Sequence, residues 1–344
     1  MSPRGIHDTS TELGAFLQQL NAHTLLLRCL GALAEQGIAD RLVPGPRTAA
    51  ELAAGAGLHE ETLYRVLRFA AAHGVFREDE AGRFHLTRRA EGLRVGVSGS
   101  VRDRLRRPWQ DLIWHTYERV PDMLRTGDPA FEGAHGRAFF DFLAGQPELG
   151  SAFDRTMARV SQDENPVIAA SFPFELYPWV VDVGGGQGGL LAAVLECHAT
   201  VHGVLLDQPQ VVAAPEALAD PRFAGRWEAV AGDFFRSVPP GGDLYLLKRI
   251  LHDWDDTDAL AVLEACREAL RGEARLLVID AVMKAGNEPD PNKFLDVNIM
   301  ALTGGRERTG EEFRTLAGEA GLSLLGITPL PAPATLSLIE MGLA

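Results

Sequence analysis

Five of the six residues from Gly184 to Gly189 are glycine, interrupted only by Gln187, and they follow directly on the apolar run Trp179–Val183. A short run of β-formers ahead of a glycine cluster reads as a buried parallel strand. The stretch Leu190–Leu195 then has helix-forming composition. Strand, glycine turn and helix together make a cradle for a nucleotide-type cofactor, because glycine permits the tight turn and lets a ligand approach the backbone. A flexible turn with no ligand is the plainer reading of the same residues. Gly184, Gly186 and Gly189 satisfy the dinucleotide spacing G-x-G-x-x-G, which also suits an S-adenosylmethionine site, so the glycines alone leave the cofactor open.

From Trp179 onward apolar runs alternate with helical stretches, at 179–183, 201–206, 227–231, 244–248 and 275–280, with two more near 322–328 and 335–340. This pattern predicts an α/β fold with a doubly wound, Rossmann-like, seven-stranded sheet. Ligands of such sheets sit beyond the carboxyl ends of the strands. The second strand ends at Asp207, which can accept the hydroxyls of a ribose. The third leads into Asp233-Phe234, an acid and an aromatic ring suited to an adenine. The fourth runs into Lys248-Arg249-Ile250-Leu251-His252, and the fifth ends at Asp280.

The N-terminal part reads differently. Leu13–Leu20 and His23–Ala34 have helical spacing, with enough apolar surface to seek a large partner. Residues 47–87 carry helix, turn, helix and a hairpin with Gly82 at its tip, which is a winged helix-turn-helix. Its second helix opens with Glu60 and Glu61, the wrong charge for phosphates. The net charge of −14 falls almost entirely after residue 105, and neither half offers a strong basic face. A dimerisation or docking role is therefore expected of this domain, rather than DNA binding. Residues 106–175 read as a mainly helical bridge with aromatics that include Trp114 and Phe153, able to roof a pocket. The expected organisation is a winged-helix domain at 1–105, the bridge at 106–175 and a catalytic domain at 176–344. Three scattered cysteines, a polar Met1–Ser10 and the lack of an eighteen-residue apolar run point to a cytoplasmic protein with no membrane span and no metal-ligand spacing.

His252 carries the sharpest chemical suggestion. It follows a central strand on the cofactor side, and a histidine near its ordinary pKa of about 6.5 can remove a proton at neutral pH. Asp280, ending the neighbouring strand, is placed to orient it.

The blocks Asp182-Val-Gly-Gly-Gly-Gln-Gly, Leu206-Asp207-Gln-Pro, Gly232-Asp233-Phe234-Phe235, Leu247-Lys248-Arg-Ile-Leu-His252-Asp-Trp and Gly304-Gly-Arg-Glu307-Arg-Thr309 occur in order. Together they resemble the class I S-adenosylmethionine-dependent O-methyltransferases of the caffeate/hydroxyindole type, bacterial natural-product members included, over essentially the whole chain. The resemblance implies that Gly184 and Gly186 hold the methionine part of the cofactor and that Asp207 binds the ribose. It implies that Gly232, Asp233 and Phe234 flank the adenine, with Lys248 and Arg249 as further cofactor contacts. His252 would be the general base, with Asp280 and Glu307 as acidic partners. Met157, Asn298, Met300 and Trp114 would meet a phenolic acceptor. The N-terminal domain would make a homodimer, and S-adenosylhomocysteine would be the product. The family often has glutamate where Asp280 stands, so its grip on His252 is expected to be looser or water-mediated. Three other readings compete: a same-scaffold enzyme running decarboxylation, hydroxylation or rearrangement, a nicotinamide oxidoreductase, and a winged-helix regulator.

Overall fold

A computed structural model describes residues 9–97, 99–213 and 215–344, so most of Met1–Ser10 lies outside the described residues. The chain divides into two compact units, Met1–Trp114 with Glu148–Thr156, and His115–Pro147 with Met157–Ala344.

In the first unit the two leucine-rich stretches form one continuous helix, Thr9–Glu35. It leaves Leu13, Leu17, Leu20 and Leu27 exposed. Strand β1 (Arg47–Thr48) leads into the helix Ala49–Ala56, closed by a capping box between Thr48 and Glu51 and ended by Gly57 in the left-handed region. The helix Glu60–Ala72 follows, then β2 (Phe76–Glu78) and β3 (Arg83–Leu86) in the sheet order β1-β3-β2. Asp79 makes the hairpin tip, accepting from the backbone N–H groups of Ala81 and Arg83. Leu33, Ile38, Leu52, Leu67, Phe76 and Phe84 form the core of this winged helix.

The second unit is built on β4 (Trp179–Val183), β5 (His202–Asp207), β6 (Trp227–Ala231), β7 (Leu244–Lys248), β8 (Arg275–Asp280), β11 (Leu322–Pro329) and β12 (Ser337–Leu343). A separate two-residue ribbon pairs β9 (Val282–Met283) with β10 (Arg308–Thr309) in parallel. The large sheet runs β11-β12-β8-β7-β4-β5-β6. Its five central and outer strands are parallel, but β12 is antiparallel to both β8 and β11. The link from β11 to β12 is too short for a crossover helix, so the chain has to turn back on itself there.

Alternation along the buried strands supplies two cores. Val181, Val183, Tyr245, Leu247 and Val278 face one layer of helices, Asp256–Ala269 and Gly310–Glu319. Val180, Leu205, Leu246 and Ile279 face the other, with Leu191 and Val194 of the helix Gly189–Cys197. Parallel register fixes where the strands stop: Val183 pairs with Leu206, and Lys248 pairs with Ile279. Gly184, Asp207, Arg249 and Asp280 therefore emerge from one edge of the sheet. No helix among the described residues is long and apolar enough to cross a membrane.

Candidate active site

The glycine loop has the conformation its composition predicts. Gly184, Gly186 and Gly188 all lie in the left-handed region, at φ of 70°, 59° and 77°. Side chains crowd Gly184: a Cβ there would lie 2.6 Å from Ile250 Cδ1 and 3.3 Å from Phe234 Cε1. The loop thus meets residues that follow β6 and β7. Above Gly186 the space is open, with nothing within 4 Å of a built Cβ. The Gly186 N–H donates to Asp207 Oδ2 at 2.8 Å, which fixes the carboxylate beside the loop. Asp233 accepts from the Phe235 N–H and leaves its side chain half exposed next to Phe234. Open backbone at a helix N-terminus, a carboxylate beside it and a ring near the loop fit the charged and aromatic parts of a nucleoside cofactor.

Behind the loop lies Asp182, fully buried on the face of the Gly189–Cys197 helix. Burial pushes its carboxyl up to about 7, against the pull of Lys248, and its Oδ2 has no hydrogen-bond partner among the described residues. Lys248 and Arg249, expected at the cofactor, direct their donors to the helix Pro147–Ser171. Lys248 Nζ donates to Ser161 Oγ at 3.0 Å and Asn165 Oδ1 at 2.9 Å, and lies 3.2 Å from Glu164. The Arg249 guanidinium grips both oxygens of the same buried Glu164. Arg249 is the one non-glycine described residue at positive φ, 55°. Such a conformation persists only where its surroundings over-determine it. Here the Arg249 N–H donates to Ile279 O at 3.0 Å while its side chain is held by Glu164.

That left-handed residue aims the chain into a short 3₁₀ turn, Leu251–Asp253, which carries His252. The imidazole is nearly buried. Its Nδ1 lies 3.0 Å from Glu307 Oε1 and 3.4 Å from Asp280 Oδ1. Its Nε2 is 3.9 Å from Asp253 Oδ1, beyond hydrogen-bond range. Burial opposes the imidazolium, but the charges of Asp280, Asp253 and Glu307 outweigh it and raise the pKa to about 9. Asp280, Glu307 and Asp253 are all raised in turn, chiefly by burial. Neither Asp280 oxygen meets hydrogen-bond geometry, whereas Glu307 Oε1 does. The hydrogen-bonded partner of His252 is thus Glu307, and Asp280 acts on it as a nearby charge. The three ligand atoms lie within 4.8 Å of one another, a donor set that could also grip a divalent ion.

The remaining expected residues disperse. Asn298 Oδ1 accepts from the Tyr117 hydroxyl at 2.6 Å. Met300 packs against the small cluster of Met123, Ala130 and Ala301. Met157 is 39% exposed on the long helix. Trp114 belongs to the N-terminal unit, where the Arg28 guanidinium lies 5.3 Å from its ring centre. Sequence reasoning gave no role to Glu164, Tyr117 or Asp296. Asp296 accepts from the Glu307 N–H at 2.9 Å. Their signal was the composition of the helical segments, which does not say which turn faces the strand ends.

The fold and its strand-end cradle define a class: a doubly wound α/β protein with a nucleoside-cofactor cradle at its strand ends. Comparison with known proteins narrows this. A family model described as an O-methyltransferase domain matches residues 117–323, and one described as an O-methyltransferase dimerisation domain matches residues 19–95. The phenazine O-methyltransferase PhzM of Lysobacter antibioticus is 35% identical over 336 residues, spanning 95% of this chain and 96% of its own. CalO1, a methyltransferase of calicheamicin biosynthesis solved in its S-adenosylhomocysteine-bound form, superposes with a TM-score of 0.85 at 36% identity, covering 99% of this chain and 100% of its own. NcsB1, an O-methyltransferase from neocarzinostatin biosynthesis solved with S-adenosylmethionine and 2-hydroxy-5-methyl naphthoic acid, superposes with a TM-score of 0.78 at 34% identity, over 94% and 96% of the two chains. The chain belongs to this family of S-adenosylmethionine-dependent O-methyltransferases.

Asp182 provides a test of the buried electrostatics. Its folded pKa of about 7 stands above the unfolded value near 3.9, so the folded state holds the extra proton and wild-type stability falls as pH rises through that window. Asp182→Asn removes the titration. Its melting temperature relative to wild type should rise by several degrees between pH 4.5 and pH 8 in calorimetry. A constant difference would mean that the Asp182 carboxyl titrates in the fold as it does in the unfolded chain.

Proposed function

We propose that this enzyme methylates a hydroxyl of a small phenolic metabolite, with His252 as the general base. The observation that carries the reading is the anchoring of His252 Nδ1 on Glu307, which leaves Nε2 as the nitrogen with no hydrogen-bonded partner in the cluster. In the neutral ring Nδ1 holds the proton and Nε2 the lone pair, a tautomer inferred from the hydrogen bond that Glu307 accepts.

Bound S-adenosylmethionine supplies a methyl already activated on a sulfonium and leaves as S-adenosylhomocysteine. What the chain adds is alignment and proton transfer. Gly184 and Gly186 would hold the methionine part of the cofactor, with the open backbone at Gly186; Asp207 would accept from its ribose, and Asp233 with Gly232 and Phe234 would flank its adenine. Lys248 and Arg249 support that wall from behind through Glu164. Positioning of this kind can contribute several kcal/mol to barrier lowering. His252 Nε2 takes the acceptor's hydroxyl proton as the new O–C bond forms. Asp280 and Glu307 stabilise the resulting imidazolium. A base raised to about 9 is close to a phenol's pKa of about 10, so the transfer is nearly balanced. On the acceptor side, the Tyr117 hydroxyl fixes the Asn298 amide, and Met157 and Met300 offer apolar contact. The naphthoic acid bound to NcsB1 supports a hydroxylated aromatic acceptor. The exposed leucines of Thr9–Glu35 and the match to a dimerisation domain support a homodimer.

Two outcomes follow. His252→Gln should lower kcat by about 10²–10⁴ while the calorimetric Kd for S-adenosylmethionine stays within about threefold of wild type; unchanged turnover would remove the base. In the free enzyme, kcat/KM should rise with pH toward a limb near 9, because the imidazolium must first lose its proton. Glu307→Gln keeps an oxygen that can accept from Nδ1–H but deletes the charge that holds that proton, so the limb should move down by about a unit. A limb that stays in place, or moves up, would separate Glu307 from His252.

A further inference from the structure

Arg308 is among the largest fully buried side chains of the protein, 1% exposed, and the reaction as read above gives it no task. Its guanidinium sits under the turn that carries His252. Nη1 donates to Leu251 O at 2.9 Å and Nη2 donates to Trp254 O at 3.1 Å, so one planar group holds the carbonyls on both sides of the turn. Nε and Nη2 also pair with Asp256 Oδ1, at 3.0 and 2.8 Å, at the start of the next helix. The middle carbonyl of the turn, that of His252 itself, accepts from the Arg306 N–H at 2.8 Å. The same backbone passes so close that a Cβ on Gly305 would lie 2.2 Å from His252 O. Glu307, between Arg306 and Arg308, holds the ring.

We propose that Arg308 is a positioning residue for His252, acting with the Gly305 backbone as a template that fixes the turn relative to Glu307. The inference rests on the reading of His252 as the base. Four consecutive residues, 305–308, set both the height of the turn and the partner of its imidazole. A displacement of the turn by a few tenths of an ångström lengthens the Nδ1–Oε1 contact directly, because the carboxylate is carried on the template and not on the turn. Only a guanidinium fits this place: its rigid fork can meet two carbonyls and a carboxylate at once, whereas a lysine offers a single point charge. Buried charge alone would be a poor reason to keep an arginine here, since an isolated buried cation is costly.

The test is acceptor-free. In protein labelled with ¹⁵N-histidine, the His252 resonance is identified by its disappearance in His252→Gln, and its titration is followed by NMR in wild type, Arg308→Lys and Gly305→Ala. Wild type should titrate near 9. Both variants should titrate at least one unit lower while S-adenosylmethionine binding by calorimetry stays within about threefold. Arg308→Lys keeps the charge and loses the fork; Gly305→Ala keeps the fork and pushes the turn from the other side. If Arg308→Lys fails to fold, Gly305→Ala still reads the template. A raised wild-type value left unmoved in the folded variants would overturn the positioning role alone. A wild-type imidazole titrating at its ordinary value would instead fault the Glu307 pairing, the observation on which both the template and the base reading are built.

Discussion

The titratable cluster at the strand ends of this protein depends on a buried contact of 3.0 Å between His252 Nδ1 and Glu307 Oε1. An imidazole taken out of water loses basicity, and only neighbouring negative charge restores it. Asp280, Asp253 and Glu307 more than restore it, so a ring that burial would make a weak base becomes a strong one. The same acids are themselves raised by burial, which makes the cluster a shared reservoir for a proton rather than one basic residue with two spectators. Its strength depends on the turn at 251–253 and the segment 305–308 keeping a fixed distance. That distance is set by backbone hydrogen bonds and by the fully buried Arg308.

Much of this was legible in the residues. The apolar run before the glycines is a strand buried on both faces, and its parallel neighbours stop in register with it, so Gly184, Asp207 and Asp280 emerge where strand counting expects them. His252 stands beyond the fourth parallel strand, as its position after Leu247-Lys248 suggests. What the sequence could not show is which acid holds it. Strand order favours Asp280, which ends the adjacent strand. The hydrogen bond goes to Glu307, because two strands of only two residues each, β9 and β10, pair in parallel and carry residue 307 alongside the end of β8. A pair so short leaves no periodicity to read. The expectation that aspartate in place of the family's frequent glutamate loosens the grip of position 280 agrees with the 3.4 Å separation and the lack of hydrogen-bond geometry there.

The lysine that ends β7 and the arginine that follows it are a related case. Basic residues at a strand end invite assignment to a ligand, yet both cations here are engaged by Glu164, Ser161 and Asn165. The pairing holds Arg249 in a left-handed backbone and so aims the turn that follows. The end of β7 and His252 are thereby joined through one segment, 248–254, braced by Glu164 at its start and Arg308 at its end. In the N-terminal unit the reverse holds: capping residues and turn glycines state the winged helix plainly, and two leucine-rich stretches proved to be one helix because Asn21 and Ala22 between them continue it.

The most direct measurement of the central claim is single-turnover methylation of a series of simple phenols and naphthols of increasing acidity, by wild type and by His252→Gln with cofactor saturating. If His252 removes the acceptor's proton, the loss caused by the substitution should be large for weakly acidic phenols. It should shrink toward nothing for nitrophenols that are already ionised at the assay pH. An equal loss across the whole series would contradict the account and leave His252 as a structural part of the site.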